Sequence, residues 1–410
     1  MLQQWFPKGK HDEPVIDGLR GLSVLMIILF HCFLAVFLVL KDQPDRLQQF
    51  IQQIPFSFLL TTDKAVDIFF LVSAYLLSRG LFVSQQRPDF KLSTFYIRRW
   101  FRIYPLFFLA LLLYGATSGT TEVSRWVLNL FFMDNWVHSA SLIPVGWSLS
   151  VEVQFYLCLP LITLIMSRSG HGLKVLGSLI FLSILLRWLA VISDSNIITT
   201  PFYEVIGNPD FFMNKLYYPT YSRITPLLLG VLWAWFAHKN ILKPVNKTAR
   251  AALFILALAL LALSTTFPQY NAGHWYYHAF PETIYLWMNG LMILLHRTLF
   301  TLAVLLIVMW PPPRWLQLKL WRPVSQMCFP MYLFHFPMVA VAWITVLGTT
   351  DVGNINQIPL WQVGATFVLA TLLTIAISLF LHFLLEKPAI RLGNQLVGYQ
   401  KSKEVTVSGL

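Results

Sequence analysis

His31 stands inside "GLSVLMIILFHCFLAVFLVL", residues 21–40, a run apolar enough to cross a bilayer. Arg20 lies eleven residues earlier, about 16 Å away at 1.5 Å per residue, which puts an imidazole near mid-membrane beneath an arginine. A second histidine, His335 in "CFPMYLFHFPMV", falls about 12 Å into a later apolar run by the same rise. The sequence flanks it with Pro330 and Pro337, expected to kink or break that helix. An imidazole at such a depth could perform acid–base or acyl-transfer chemistry; the alternative is a ring hydrogen-bonded to a neighbouring helix as packing glue.

Other ionisable residues share this apolar setting. "STFYIRRWFRIYPL", 93–106, gathers Arg98, Arg99 and Arg102. Arg99 and Arg102, three apart, share a helix face, Arg98 is adjacent, and the three guanidiniums could grip phosphates bidentately; inside-positive residues before a span are the plainer explanation. "PVGWSLSVEVQFYLCLP", 144–160, sets Ser148, Glu152 and Tyr156 on one face. A buried glutamate needs a partner, which function or a structural ion pair would supply. Asp67 and Arg223 fall at the outer edges of two further spans, and Arg187 and Arg297 in the outer parts of theirs, where either could snorkel to the interface. "HWYYH" has metal-like spacing at His274 and His278 but no evident third ligand, so no metal is expected. No Walker motif or G-x-S-x-G elbow is present.

The elements that must carry these residues follow from composition. Of 410 residues 57% are hydrophobic and only 12% charged, about half the charge of a soluble domain. Apolar stretches near bilayer length recur. The fold expected is an all-α polytopic membrane protein of about ten spans: 20–40, 66–83, 101–117, 146–166, 173–192, 222–237, 250–267, 290–310, 327–347 and 361–385. "WVLNLFFMDNWV", 126–137, is too short to cross and reads as an interfacial or re-entrant piece on the outer side. The first run is too long for a signal-peptide h-region and no small-residue cleavage site follows it.

The net charge of +12 might suggest nucleic acid, but the basic residues cluster between apolar spans. With the N-terminus inside, 22 Lys and Arg fall in cytoplasmic segments and 5 in outer ones, so both termini are expected to be cytoplasmic. "NKT" at 246–248 then lies on the wrong side for glycosylation. Cys32, Cys158 and Cys328 lie in apolar spans and imply no disulfide framework.

Taken in order, "IDGLRGLSVLMIILFH", "FYIRRWFRIYP", "GWSLSVEVQFYLCLP", "YSRITPLLLG", "YLFHFPMV" and "LEKPAIRL" resemble the membrane acyltransferase 3 family, the OafA/YrhL-type O-acyltransferases. The resemblance covers about 14–392 and divides the chain into a cytoplasmic N-terminal segment (1–14), an acyltransferase domain (15–392) and a short tail (393–410). One departure is Ser73-Ala74 where the family often has Ser-Gly; the added methyl is expected to tighten helix packing. No appended C-terminal esterase-like domain is expected, which leaves transfer to the membrane domain or a separate partner.

The resemblance implies transfer of an acyl group, usually acetyl, from acyl-CoA to a hydroxyl of an extracytoplasmic polysaccharide or glycolipid. It implies Arg20, Arg99 and Arg102 as holders of the CoA phosphates, with the thioester near His31. His31 is expected as general base or transient acyl carrier, Glu152 as a group that orients an imidazole or binds sugar, and His335 as a second acid–base group. Asp67, Trp147, Ser148 and Arg223 are the expected substrate-binding set. The implied partners are acetyl-CoA or another acyl-CoA, the glycan acceptor and the lipid bilayer of a bacterial inner membrane. Two other classes compete: a glycan-modifying transferase with a polyprenyl-phosphate donor, expected to need a metal, and a proton-coupled transporter using His31 and Glu152 as a relay. Transporters of that type usually carry paired repeats, and no internal repeat is visible.

Overall fold

The structure, a computed structural model, describes residue 6 and residues 13–137, 141–205, 209–241, 246–309, 312–349 and 358–407, with side chains as far as 398. Most of the N-terminal segment 1–14 and the last residues of the tail therefore lie outside the described residues. Ten apolar helices form the body: α1 (Pro14–Leu40), α2 (Ala65–Ser84), α3 (Leu92–Ser118), α4 (Gly146–Arg168), α5 (Gly172–Ile192), α6 (Thr225–His238), α7 (Lys247–Thr265), α8 (Glu282–Met309), α9 (Cys328–Leu347) and α10 (Leu360–Leu381). A π-turn, His382–Glu386, leads from α10 into α11 (Lys387–Val407). No strand occurs among the described residues. The protein is an all-α, multi-pass membrane protein. Nine of its described helices are long and apolar enough to cross a bilayer, and α6 is the shorter tenth.

Three details depart from the sequence reading. The sixth element is broken at Ile224, where the short helix Thr220–Arg223 ends and α6 begins with Pro226 in its first turn. Its 14 residues span about 21 Å, less than a hydrocarbon core. They are accommodated because α6 is enclosed by protein, with Leu227–Val231 and Trp233–Trp235 buried. Secondly, α9 is neither broken nor divided: Pro337 lies inside it and Pro330 occupies its first turn, where a backbone N–H would have no intrahelical acceptor. Thirdly, Arg187 and Arg297 do not snorkel; each is 5% exposed and turned into the bundle. The 126–137 segment is too short to cross, as expected: it is a helix over Val123–Leu130, a turn, and a 3-10 turn at Asp134–Trp136.

Two close approaches set the frame of the site. Gly230 of α6 faces α2 so tightly that a Cβ there would lie 2.3 Å from the Leu71 carbonyl oxygen and 2.8 Å from the Ala74 Cβ. The Ala74 methyl thus packs at the tightest crossing between these helices. At the start of α1, a Cβ on Gly18 would lie 2.0 Å from the carbonyl oxygen of Leu316, in the 3-10 turn Arg314–Gln317. Gly18 of "DGLRG" lets this turn lie directly on α1, two residues before Arg20. The N-terminal parts of α1, α3 and α9 meet α11 at one end of the bundle: Arg20 Nη2 donates to Cys328 Sγ at 2.8 Å, and Gly393 of α11 packs on Phe101 of α3.

Candidate functional site

Several of these ionisable residues gather in two cavities. The first, about 340 Å³, lies at the end where α1, α3 and α9 begin. Arg20 enters it from α1 and Arg99 and Arg102 from α3, so the i, i+3 pair does share the face that meets Arg20. Opposite, α2 supplies Ser73, α4 supplies Ser148, Glu152 and Tyr156, and α9 supplies Cys328 and Tyr332. The Tyr156 hydroxyl donates to Glu152 Oε2 at 2.9 Å and also contacts the Ser73 hydroxyl. Three guanidiniums and one carboxylate line this basic cavity, a charge balance suited to an anionic ligand.

The second cavity, about 580 Å³, lies toward the opposite end. Its aromatic wall includes Phe37, Trp147, Tyr217, Tyr218 and Phe336. Its polar wall carries Asp63, Asp134, Asp210, His296 and Arg297, and His31 forms part of the lining from α1. Ring faces beside carboxylates are the chemistry that holds a polyhydroxylated ring, apolar on its faces and hydrogen-bonding at its rim.

His31 does not stand alone. His335, fully buried on α9, places Nε2 3.0 Å from His31 Nδ1. When both rings are uncharged, the remaining contacts set their tautomers. His335 Nδ1 lies 2.7 Å from the Tyr332 carbonyl oxygen, which can only accept, so Nδ1 carries the proton and Nε2 is bare. His31 Nδ1 must therefore donate to it; the same N–H also meets the Ile27 carbonyl oxygen at 2.9 Å. Nε2 of His31 is left with its lone pair available, on a side chain that lines the aromatic cavity. That nitrogen can take a proton from a hydroxyl or attack a carbonyl carbon, and His335 orients the ring from behind.

Tyr332 stands between the basic cavity, which it lines, and His335 behind His31. Its ring lines the basic cavity and packs against both His335, at 5.9 Å, and Phe69, at 5.8 Å. Its hydroxyl lies 2.5 Å from Ser148 Oγ and donates to the Val145 carbonyl at 3.1 Å. The tryptophan and serine of the "GWSLS" run consequently face different compartments: Trp147 lines the aromatic cavity and Ser148 the basic one. Glu152 faces the basic cavity and is held by Tyr156, while the partner of the His31 ring is His335.

Asp67 and Arg223 line neither cavity. Both are 0% exposed and form an ion pair at 3.2 Å beneath the aromatic cavity. Arg297 donates to Asp67 at 2.9 Å and pairs with Asp63. Lys64 donates to the Phe267 carbonyl at 2.8 Å. Aromatic rings cover the cations: Arg223 lies 5.1 Å from both Trp147 and Tyr217, and Arg297 lies 5.0 Å from Tyr217. Arg187 completes the surround by donating to the backbone carbonyls of Ile293, at 3.1 Å, and Ser222, at 2.9 Å. Asp67 and Arg223 thus support the cavity wall from behind, and Asp63 and Arg297 present it.

Asp63, His296 and Asp134 are among the cavity residues that the sequence reading did not single out. Asp63 was legible in "TDKAVD", four residues before Asp67 and so on the same helical face. His296, 2% exposed, packs edge-on against Phe267 at 5.2 Å, and neither of its ring nitrogens has a hydrogen-bond partner among the described residues. Asp134 accepts from Ser141 at 2.8 Å and also bonds Ser150. The "HWYYH" histidines are engaged separately. His274 Nδ1 caps its short helix by accepting from Tyr276 N, with partial burial pushing its pKa down, and His278 Nε2 meets the Ala272 carbonyl oxygen.

No solved structure matches this chain. Sequence relatives do. A peptidoglycan O-acetyltransferase, OatA, of Listeria monocytogenes is 24% identical over 391 residues, covering 88% of this chain and 54% of that protein. An uncharacterized protein of Haemophilus influenzae is 28% identical over 215 residues, 48% of this chain and 84% of that one. The chain spans about half the length of most of the curated relatives it matches. The acyltransferase domain family matches residues 13–382, a stretch that holds both cavities, the imidazole pair and all three arginines. The chain belongs to this acyltransferase family.

Proposed function

We propose that the protein is a membrane O-acetyltransferase that moves an acetyl group from cytoplasmic acetyl-CoA to a hydroxyl of an extracytoplasmic polysaccharide or glycolipid. The observation that carries this reading is the opposition of two unlike cavities across one partition. Three guanidiniums gather on one side, and an oriented imidazole with a free Nε2 stands on the other. The name of the Listeria relative, a peptidoglycan O-acetyltransferase, supports the acetyl group and a glycan acceptor. The 22-to-5 bias of Lys and Arg supports a basic cavity that opens to the cytoplasm of a bacterial inner membrane.

In this reading Arg20, Arg99 and Arg102 hold the donor's phosphates and its arm extends past Ser73 and Glu152 toward Tyr332. The acceptor sugar lies against Trp147, with Asp63 and Asp134 accepting hydrogen bonds from its hydroxyls. His31 Nε2 removes the proton of the attacking hydroxyl as its oxygen bonds to the thioester carbonyl carbon. The carbon–sulfur bond then breaks, and the CoA thiolate leaves with that proton. The same lone pair could accept the acyl group first, releasing CoA, and pass it to the hydroxyl in a second step; hydroxylamine trapping of an acyl-imidazole separates the two routes.

The test is mass spectrometry of surface glycans and glycolipids from three strains: wild type, a deletion, and the deletion expressing His31→Ala. Loss of one acyl mark in both mutants is the expected result. A mark that survives His31→Ala at normal level would refute the role of His31. Persistence of every mark in the deletion would refute the transferase reading.

A further inference from the structure

A third cleft, about 330 Å³, adjoins the basic cavity and shares Leu76, Leu77 and Arg99 with it. It is formed by the last turns of α2, the connection after it, and the first turns of α3. Three cations, Arg87, Lys91 and Arg98, line it against one acid, Asp89. Two half-buried rings, Phe90 and Phe95, stand among them. Arg87 and Arg98 are exposed, and neither forms an ion pair with another described residue. The transfer chemistry above makes no use of these side chains.

We propose that this cleft is the subsite for the phosphorylated nucleoside end of the donor; the assignment rests on the acyl-CoA reading above. A coenzyme A thioester has a base, a ribose with its own phosphate, a diphosphate and a long thin arm, in that order. The two adjoining compartments present complementary groups in the same order. Arg87, Lys91 and Arg98 bind the ribose phosphate by charge-assisted hydrogen bonds. Phe90 and Phe95 offer ring faces to the purine, and Asp89 accepts from a ribose hydroxyl. Arg99, common to both compartments, takes the diphosphate at their junction, and the arm passes Leu76 and Leu77 into the basic cavity. An anionic lipid headgroup would also be drawn to the cations. It would have no use for aromatic walls or for the connection to a deeper polar cavity.

The experiment measures equilibrium binding of two thioesters to the full chain in phosphatidylcholine nanodiscs: acetyl-CoA, and S-acetyl-4′-phosphopantetheine, which lacks the nucleoside end. Wild type is expected to bind acetyl-CoA at least on the order of tenfold more tightly, the least that one charge-assisted contact provides. The double variant R87Q/R98Q should lose that preference while its affinity for the truncated thioester stays unchanged, which also shows that it is folded. Equal wild-type affinity for the two thioesters, or equal weakening of both by the variant, would overturn the subsite and leave the donor reading standing. Binding of neither thioester would overturn the donor reading and the subsite with it. In a repeat with phosphatidylglycerol nanodiscs, loss of the preference would assign the cations to lipid headgroups and likewise overturn the proposal.

Discussion

Nε2 of His335 lies 3.0 Å from Nδ1 of His31, across 304 residues of chain, and His335 in turn is held by the carbonyl of Tyr332. His335 is buried and does not line the aromatic cavity, so in the proposed mechanism it acts through His31 as a positioning residue. Charge that develops on the His31 ring as Nε2 gains a proton is shared toward an acceptor already in place. His335→Ala should lower kcat on the order of 10²-fold, the usual scale for disturbing a general base, with little change in either KM. His335→Gln, whose amide oxygen can accept the same N–H, should recover part of the rate and alter the pH profile. Unchanged kcat in His335→Ala would show that the pair is only packing.

Arg99 and Arg102 present two guanidiniums to the basic cavity from one face of α3. Replacing either by Gln should raise KM for acetyl-CoA on the order of tenfold or more, since a hydrogen bond to a charged group is worth about 1.5–3 kcal/mol. The acceptor KM should hold, because the proposed acceptor site is the other cavity, which neither arginine lines. Initial-rate kinetics with each substrate varied in turn separates the two; a matching rise in acceptor KM would refute the division into compartments.

Much of this arrangement was legible because it is local. The spacing of Arg20 and His31 is a statement about helix rise, and the shared face of Arg99 and Arg102 one about helix period. Both survive folding whatever the neighbours are. The His31–His335 contact and the burial of Asp67 with Arg223 and Arg297 are pairings between helices far apart in sequence. No local pattern encodes which helix lies beside which. Arg297 illustrates the consequence: alone in an apolar run it reads as a snorkelling residue, and only the proximity of Asp63 and Asp67 explains why it turns inward. Pro337 misled for the converse reason. A proline in mid-span suggests a break, but a single lost N–H donor is tolerated where neighbouring helices enclose the turn.

The Asp67 network should be structural before it is anything else. Among the described residues Asp67 is the one carboxylate that forms an ion pair with both Arg223 and Arg297, and all three are buried. Removing one partner of a buried pair strands a charge, at a cost of about 3–5 kcal/mol. Asp67→Asn should therefore lower the melting temperature in detergent sharply. Asp67→Leu combined with Arg223→Met should be less damaging than the two single changes added together, since the stranded charge is removed with its partner. Additive losses in that cycle would mean the two side chains do not depend on each other.

His296 makes the opposite case. Both its ring nitrogens are unpartnered although the side chain is almost wholly buried and lines the aromatic cavity. Buried polar groups are ordinarily satisfied, and one that is not needs a reason. Here the reason offered is the acceptor, whose hydroxyls would meet a ring nitrogen across from His31. His296→Phe preserves the ring and its edge-on packing with Phe267 while deleting both nitrogens. If the histidine were there for stability, removing unsatisfied polar atoms from the interior would leave activity alone and could raise the melting temperature. If it binds the acceptor, KM for that substrate should rise on the order of tenfold, the value of one lost hydrogen bond to a buried partner. KM for acetyl-CoA should stay fixed in the same assay. The combination of an equal or higher melting temperature with a weakened acceptor is the signature of a polar group retained for function, and wild-type kinetics in His296→Phe would remove His296 from the site.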